Sequence, residues 1–479
     1  YGDHRDLHSF PTRRLFRSGF RQGKSNPCLF RNDDLKVSIM VHGDDFVAVG
    51  PEKHLETTIK LLEEKYKIKV GVLGRRDGQM KEVRILNKVA RINDKGIEME
   101  ADPRHAELVI KELGLGSAKA TTTPGSKIEA KRPSDEEHAT TTTRSRATRD
   151  RIDVEESVNS IDDAKMSGKG EVWSQEEGEI IEIGGKDEED DLDPESARLY
   201  RGVAARLNYI SPDRPDLGFS VKEAARNMSR PTKADLMKLR RIGRYLIGKP
   251  RLIMNFPWQD VPDRIIAFTD SDWAGCNRTA KSTSGGVVCL GEHVLKTYCK
   301  QQKVIALSSA EAELYAMVAA SAEALAMAAY AKDLGLNLSV EMYCDSAAAL
   351  GITNRAGIGK VRHLRTQGLW VQEVRASGRI TYGKVLGEKN PADLLTKYLS
   401  AEVIDKHVAT LNMGWSDGRA ESAPTLDNVE SYVQTWAEYG VEEDWCEEWI
   451  DSVEKGQEVG EVKRSGERAK EERRGKSAG

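Results

Sequence analysis

RIIAFTDSDWAG, residues 264–275, is the stretch whose reading decides the fold. Its apolar run from Ile265 to Phe268 reads as a buried strand. The run ends on Asp270, which places a carboxylate at the strand's carboxyl end. Working outward, GGVVCL (285–290) and HVLKTYC (293–299) read as two more strands, the first reached through a polar turn. The Ala-rich AEAELYAMVAASAEALAMAAYAKDLG (310–335) predicts a long helix that stops at Gly335. Strand SVEMYCD (339–345), helix GLWVQEVRAS (368–377), strand RITYGKV (379–385) and helix NPADLLTKYL (390–399) complete a β-β-β-α-β-α-β-α rhythm. That rhythm predicts an α/β fold, a mixed five-stranded sheet flanked by helices.

Four acidic residues fall at informative places on this pattern: Asp270, Glu313, Asp345 and Asp393. Asp270 and Asp345 each close a strand. If those strands are parallel neighbours, their carboxyl ends lie about 5 Å apart, at the sheet edge where open α/β folds bind ligands. Glu313 lies in the first turn of the long helix and Asp393 near the start of the last one, both within reach of that edge. Carboxylates that converge in this way form an oxygen-rich cage for hard divalent cations, and two such ions clamp a scissile phosphate. Structural roles compete for the same residues. Asp272 suits a turn, Ser308 and Glu311 have capping-box spacing, Asp345 or Ser346 suits an N-cap, and Asp393 suits a helix N-terminus.

The rest of the chain divides by composition. Residues 37–49 predict a hairpin with Gly43, Asp44 and Asp45 at its tip. Leu55, Ile59, Leu62 and Tyr66 recur at helical spacing, and a second helix runs from Pro103 to Gly114. Residues 120–195 hold few large apolar side chains and predict a disordered polar insertion. From 196 to 260, three helices broken at Pro212, Pro215 and Pro231 form a connecting segment. The last carries Leu236, Leu239, Ile242 and Leu246 on one face. Its charge comes from Lys233, Lys238, Arg240, Arg241 and Arg244, which suits either solvent or a phosphate backbone. The α/β unit at 261–400 precedes a charged tail at 401–479, expected to be largely disordered with a helix at 436–455.

Composition excludes several classes. The 479 residues carry 31% charge and a net charge of −4, so a nucleic-acid surface has to be local. The six cysteines (28, 276, 289, 299, 344 and 446) lack zinc-site spacing and predict reduced thiols. No apolar run reaches membrane-span length and no signal-peptide order is present. The expectation is an intracellular protein, cytoplasmic or nuclear, that is not secreted and has no membrane partner.

The motifs FTDSDWAGC, STSGG, SSAEAELYA, YCDSAAAL, RHLRTQ and NPADLLTK, in that order, resemble the ribonuclease H domain of copia-type retrotransposon Pol polyproteins. RPDLGFSV, MSRPTKADL and RRIGRYLIG resemble the segment before it. NPCLFRNDD with VHGDDFVAVG resembles the reverse transcriptase palm around its paired-Asp motif, which makes 19–119 a partial palm/thumb region of α+β type. Residues 1–18 match nothing in the family. His8–Ser18 resembles a frame-slipped translation of a sequencing adapter, so 1–18 is set aside as artefactual or unstructured. The resemblance implies a ribonuclease H-like fold and a hydrolase acting on the RNA strand of RNA–DNA hybrids. Two Mg²⁺ ions, or Mn²⁺ in their place, would be held by Asp270, Glu313, Asp345 and Asp393 as catalytic and metal-binding residues. It also implies substrate-positioning roles for Arg362, His363 and Ser282, and other Pol or Gag products as partners. His363 departs from the family pattern in that Leu364 and Arg365 follow it, and the loop before Asp393 holds Glu388 and Lys389 rather than a histidine.

Asp44 and Asp45 are then a vestigial polymerase metal site, because the strand that supplies the family's third carboxylate is not in this sequence. GQMKEVRILNKVARI (78–92) departs from the family's apolar strand. Reverse transcription is not expected of this chain. The alternative to an active ribonuclease H is a non-catalytic Pol remnant that binds nucleic acid. Integrase, which shares the fold, would need a zinc module that is not seen here.

Overall fold

The computed structural model describes residues 18–43, 45–64, 66–126, 171–173, 180–182, 191–276, 278–357, 359 and 366–423. The N-terminal stretch before Ser18, most of the 120–195 insertion, and the helix expected at 436–455 lie outside them. Ser126–Asp191 separates as a small unit of its own. Its described part is an antiparallel pair of two three-residue strands, β8 (Glu171–Trp173) and β9 (Ile180–Glu182). All other described elements belong to one larger unit, which is mixed α/β.

That unit begins with an antiparallel sheet in the order β1-β2-β3-β4: β1 (Arg21–Gln22), β2 (Leu29–Asn32), β3 (Val37–His42) and β4 (Asp45–Val49). Phe30, Val37 and Ile39 point inward and are covered by Leu62 of helix α1 (Glu52–Glu63). Residues 78–92, whose sequence departs from a strand pattern, contain a hairpin of β5 (Glu82–Ile85) and β6 (Lys88–Ile92). Leu86 and Asn87 between them have φ of 48° and 59°. Positive φ at both central residues marks a tight hairpin turn that Asn favours and Leu does not, which hides the signal. β7 (Gly96–Ala101) and helix α2 (Arg104–Glu112) follow.

Helices α3 (Pro194–Ile210), α4 (Pro215–Ala225) and α5 (Lys233–Gly248) fall between the prolines. Asp193 caps α3 by accepting from the Glu195 and Ser196 amides. Thr232 and Asp235 form a complete capping box on α5. Val109, Leu207, Leu217, Leu239 and Leu246 form one core with Tyr200 and Tyr245. Each fully buried aliphatic side chain there contributes about 2 kcal/mol. The basic face of α5 turns out to be structural. Arg240 donates to the Leu113 carbonyl, Arg241 to Thr123 Oγ1 and Arg244 to the Lys119 carbonyl, so these side chains hold down 113–123 and do not present themselves to a phosphate backbone.

A second sheet cuts across the segment boundaries expected from sequence. β10 (Arg251–Pro257) pairs with β7 on one side and with β16 (Met413–Ser416) on the other. The order is β16-β10-β7-β6-β5, with strands drawn from the expected palm/thumb region, the connecting segment and the tail. The tail correction goes further: Ala401–Thr410 is a helix that packs Ile404 and Val408 beneath Leu394 and Leu395.

The third sheet is the five-stranded mixed sheet expected at 261–400, in the order β13-β12-β11-β14-β15. β11 (Arg264–Asp272), β12 (Thr283–Leu290) and β13 (His293–Gln301) are antiparallel. β14 (Ser339–Cys344) and β15 (Thr381–Lys384) run parallel to β11. Helix α6 (Ser309–Asp333) crosses between β13 and β14 and buries Leu314, Met317, Ala320 and Ala324. Length and composition alone would let it cross a membrane. Here its apolar residues meet Ile265, Val288, Met342 and Val374 in the sheet core. Helices α7 (Ala347–Thr353) and α8 (Thr366–Ala376) follow β14. The helix expected at 390–399 is a short 3₁₀ turn, Pro391–Leu395.

The C-terminal end of α6 is also the anchor for the N-terminal sheet. Asp333 accepts from the backbone amides of Lys24, Ser25 and Asn26 at 3.0, 2.7 and 3.1 Å. A carboxylate at a helix C-terminus opposes the helix dipole, and these donors offset that cost. Asp333→Ala is expected to lower stability by about 1–3 kcal/mol and to speed amide hydrogen exchange at residues 24–26. Unchanged exchange there would remove this role.

Candidate metal centre

The register of the parallel pair builds the centre. Thr269 lies opposite Cys344 across β11 and β14, so Asp270 and Asp345, one residue further along, are neighbours at the sheet edge. Asp270 is 1% exposed and Glu313 8%. Ser308 and Glu311 take up the capping role on α6: Ser308 Oγ accepts from the Glu311 amide and Glu311 Oε2 from the Leu307 amide. Glu313 is left to face the sheet, where Oε1 accepts from the Ser271 amide at 3.2 Å and Oε2 from the Cys344 thiol at 3.6 Å. Ser346, not Asp345, caps α7, by accepting from the Ala349 amide. Asp272, expected in a turn, is the last residue of β11 and accepts from the Thr283 amide and hydroxyl, which pins the end of β12.

Asp393 reaches the site because Asn390 holds the 3₁₀ turn against β11. Asn390 is fully buried, donates to the Thr269 carbonyl at 3.0 Å and accepts from the Ala392 amide. Gly285 makes the approach possible. A Cβ there would sit 2.7 Å from Thr396 Cγ2 and 2.8 Å from Leu395 Cβ, so no side chain fits. Lys397 Nζ then lies 3.2 Å from Asp270 Oδ2 and 2.8 Å from Asp393 Oδ1, and the Thr396 hydroxyl donates to Asp270. Ligand atoms of Glu313, Cys344 and Asp345 all lie within 4.8 Å of one another. Glu313 and Asp345 are thus close neighbours, Asp270 lies near enough to raise both, and Asp393 joins Asp270 through Lys397.

Their protonation shows the strain of that gathering. Burial pushes Asp270 up to about 6, with the Asp393 carboxylate adding to it and Lys397 opposing. Burial, then Asp270 and Asp345, push Glu313 up to about 8. Asp345 is raised by burial and by Asp270. One lysine does not neutralise this much buried negative charge. A donor set of carboxylate oxygens fits hard divalent cations. Burial raises the Cys344 thiol far above its usual value, so it stays a protonated donor to Glu313 and not a soft ligand.

Other expected site residues fall elsewhere. Ser282 is 0% exposed; its hydroxyl accepts from the Ala274 amide and its carbonyl from the Gln302 amide. It braces the loop and has no face for a substrate, which corrects the expected positioning role. Arg362, His363 and Asp44 lie outside the described residues, and Asp45 is exposed at the start of β4. Lys397, Thr396 and Asn390 went unnoticed in the sequence, although a lysine four residues after Asp393 was a visible signal. Lys397→Met is expected to lower the Mg²⁺ concentration that half-saturates the site in calorimetry, since it removes a competing cation. Weaker Mg²⁺ binding by the variant would contradict this.

No family model matches the sequence. Over 204 residues, 42% of this chain, it is 31% identical to the retrovirus-related Pol polyprotein from transposon RE1 of Arabidopsis thaliana. Over 201 residues it is 28% identical to that from transposon TNT 1-94 of Nicotiana tabacum. The chain is similar to the retrovirus-related Pol polyproteins of copia-like transposons. It spans 14% of the RE1 polyprotein and 15% of the TNT 1-94 polyprotein. Among solved structures, LC11-RNase H1 in complex with an RNA/DNA hybrid is similar at 20% identity with a TM-score of 0.22, covering 30% of this chain and 99% of that one. The foamy viral protease-reverse transcriptase in complex with an RNA/DNA hybrid is similar at 11% identity with a TM-score of 0.36, covering 72% and 35%. Asp270, Glu313, Asp345 and Asp393 of the candidate centre each sit in one of the motifs quoted above.

Proposed function

We propose that this Pol-derived chain is a ribonuclease H that hydrolyses the RNA strand of RNA–DNA hybrids with two Mg²⁺ ions. The observation that carries the reading is the buried Asp270 and Glu313 beside Asp345 at one sheet edge, with Asp393 tied to Asp270 through Lys397; Asp270 and Glu313 are pushed up to about 6 and about 8. Asp270, Glu313, Asp345 and Asp393 would hold the ions, which when bound activate a water and stabilise the leaving 3′ oxygen. The chain's own residues prepare the site. β11 and β14 fix the spacing of Asp270 and Asp345, the Ser271 amide orients Glu313, and Asn390 sets the turn that carries Asp393. Lys397 and Thr396 hold Asp270 ionised and oriented. Selection of the RNA strand would follow from hybrid shape and 2′-hydroxyls, not from base sequence. Nucleotide addition at the β3–β4 hairpin is no part of this proposal.

The test is incubation of the purified full chain with an end-labelled RNA–DNA hybrid, single-stranded RNA and duplex DNA, with Mg²⁺ or with chelator. Metal-dependent cleavage confined to the hybrid RNA is the expected result. No cleavage with Mg²⁺ or Mn²⁺ would leave a nucleic-acid-binding remnant as the better account.

A further inference from the structure

Two loops at the rim of the carboxylate group are bonded to each other and carry an unusual surface. The loop after β11 (273–282) and the loop before α6 (302–308) meet where Trp273 Nε1 donates to the Ala306 carbonyl at 3.0 Å and the Gln302 amide donates to the Ser282 carbonyl at 2.7 Å. The first loop starts three residues past Asp270, a reach of about 10 Å. The second leads into the helix turn that carries Glu313. Trp273 is 54% exposed, Ile305 52% and Leu307 65%, although the indole nitrogen is held in place by its bond to Ala306. The same loops carry Arg278, Lys281 and Lys303 and no acidic residue. Among the described residues none of these three cations is in an ion pair. In a chain with 73 basic and 77 acidic residues, this local run of one sign stands out.

The geometry points to this rim as the nucleic-acid clamp of the site, with Trp273 as its positioning residue. Resting on the proposed ribonuclease H reading, the occupant is an RNA–DNA hybrid. An indole fixed at one edge, with two aliphatic side chains beside it, offers a flat apolar ledge to sugars and base edges in a wide, shallow minor groove. The cations meet the phosphates that flank the groove. A narrow B-form minor groove presents less sugar surface to such a ledge, so the ledge favours hybrid over duplex DNA.

Hybrid binding by the full chain in Ca²⁺, without turnover, tests this independently of cleavage. Trp273→Ala is expected to weaken binding about tenfold, the low to middle part of the range for loss of an aromatic contact to nucleic acid. Trp273→Phe restores most of that. Ile305→Ser with Leu307→Ser, both at the surface, weakens binding without touching the indole's hydrogen bond. Arg278→Ala with Lys281→Ala and Lys303→Ala lowers the slope of log K against log salt by about two to three. Hybrid binding that survives all of these changes overturns the clamp, whether or not the chain cleaves. Trp273-dependent binding by a chain that never cleaves supports the clamp and removes the ribonuclease reading. Equal loss of affinity for hybrid and duplex DNA in Trp273→Ala overturns the stated preference, and absence of any nucleic-acid binding overturns both.

Discussion

Asp345→Asn is expected to lower hybrid cleavage by about a thousandfold or more while the fold stays intact. Metal-assisted stabilisation of a phosphoryl transition state is worth several kcal/mol, and each 1.36 kcal/mol is a factor of ten in rate. Asparagine keeps the shape of the side chain but removes one of the charges that make the site attractive to a cation. The cap of α7 does not depend on that charge, because Ser346 and not Asp345 provides it. Loss of one repelling carboxylate also leaves the metal-free variant no less stable than the parent, since Asp345 is one of the groups that raise Glu313. Cleavage rates and thermal melts on the same two preparations check both halves. Equal cleavage by the two proteins would mean that any nuclease activity comes from elsewhere.

Glu313→Gln is expected to remove a pH-dependent loss of stability that the parent chain shows without metal. Below about pH 4 a carboxyl group is protonated in both folded and unfolded chains and contributes no pH dependence. Between there and about 8 the unfolded chain ionises while folded Glu313 holds its proton, so the folded state binds more protons and stability falls as pH rises. Asp270 adds to the fall over the lower part of that range, up to about 6. The total is on the order of a few kcal/mol. The glutamine variant therefore melts higher than the parent at pH 8 in chelator, with the gap closing by pH 5. Mg²⁺ stabilises the parent more at pH 8 than at pH 5, because a cation relieves what protonation otherwise relieves. Parallel melting curves for parent and variant across this range would show that Glu313 ionises freely.

Much of the centre was legible because three of the carboxylates sit at boundaries that sequence marks well. Asp270 and Asp345 follow apolar runs, and Glu313 follows a serine-led helix start whose own acidic residue, Glu311, is taken up by the cap. The last element was harder. An aspartate after Asn-Pro reads as a helix start, yet the segment closes as a 3₁₀ turn because Asn390 is tied to β11 and Thr396 and Lys397 reach for Asp270. Lys397 was passed over for the same reason: on a regular helix a lysine four residues after an aspartate is an ordinary surface pair. Ser282 was misjudged because a serine-rich turn between strands suggests exposure, whereas tertiary packing buries it completely. The 82–92 hairpin stayed hidden because its turn contains a leucine at positive φ, against local preference.

The sheet built from β5, β6, β7, β10 and β16 has a consequence for how this polypeptide comes off the ribosome. Its second strand, β10, has Leu252 in a cluster with Leu394, Leu411 and Met413, so one flank is finished only after residue 413 has emerged. Strands made early, at 82–101, have to wait through more than three hundred residues of synthesis for the last partner in their sheet. Such long sequence separations slow folding and leave an open strand edge exposed to neighbours in the meantime. Chains cut at residue 260 or 400 would keep that edge permanently unpaired, which makes the full 479 residues the safer object for every assay above.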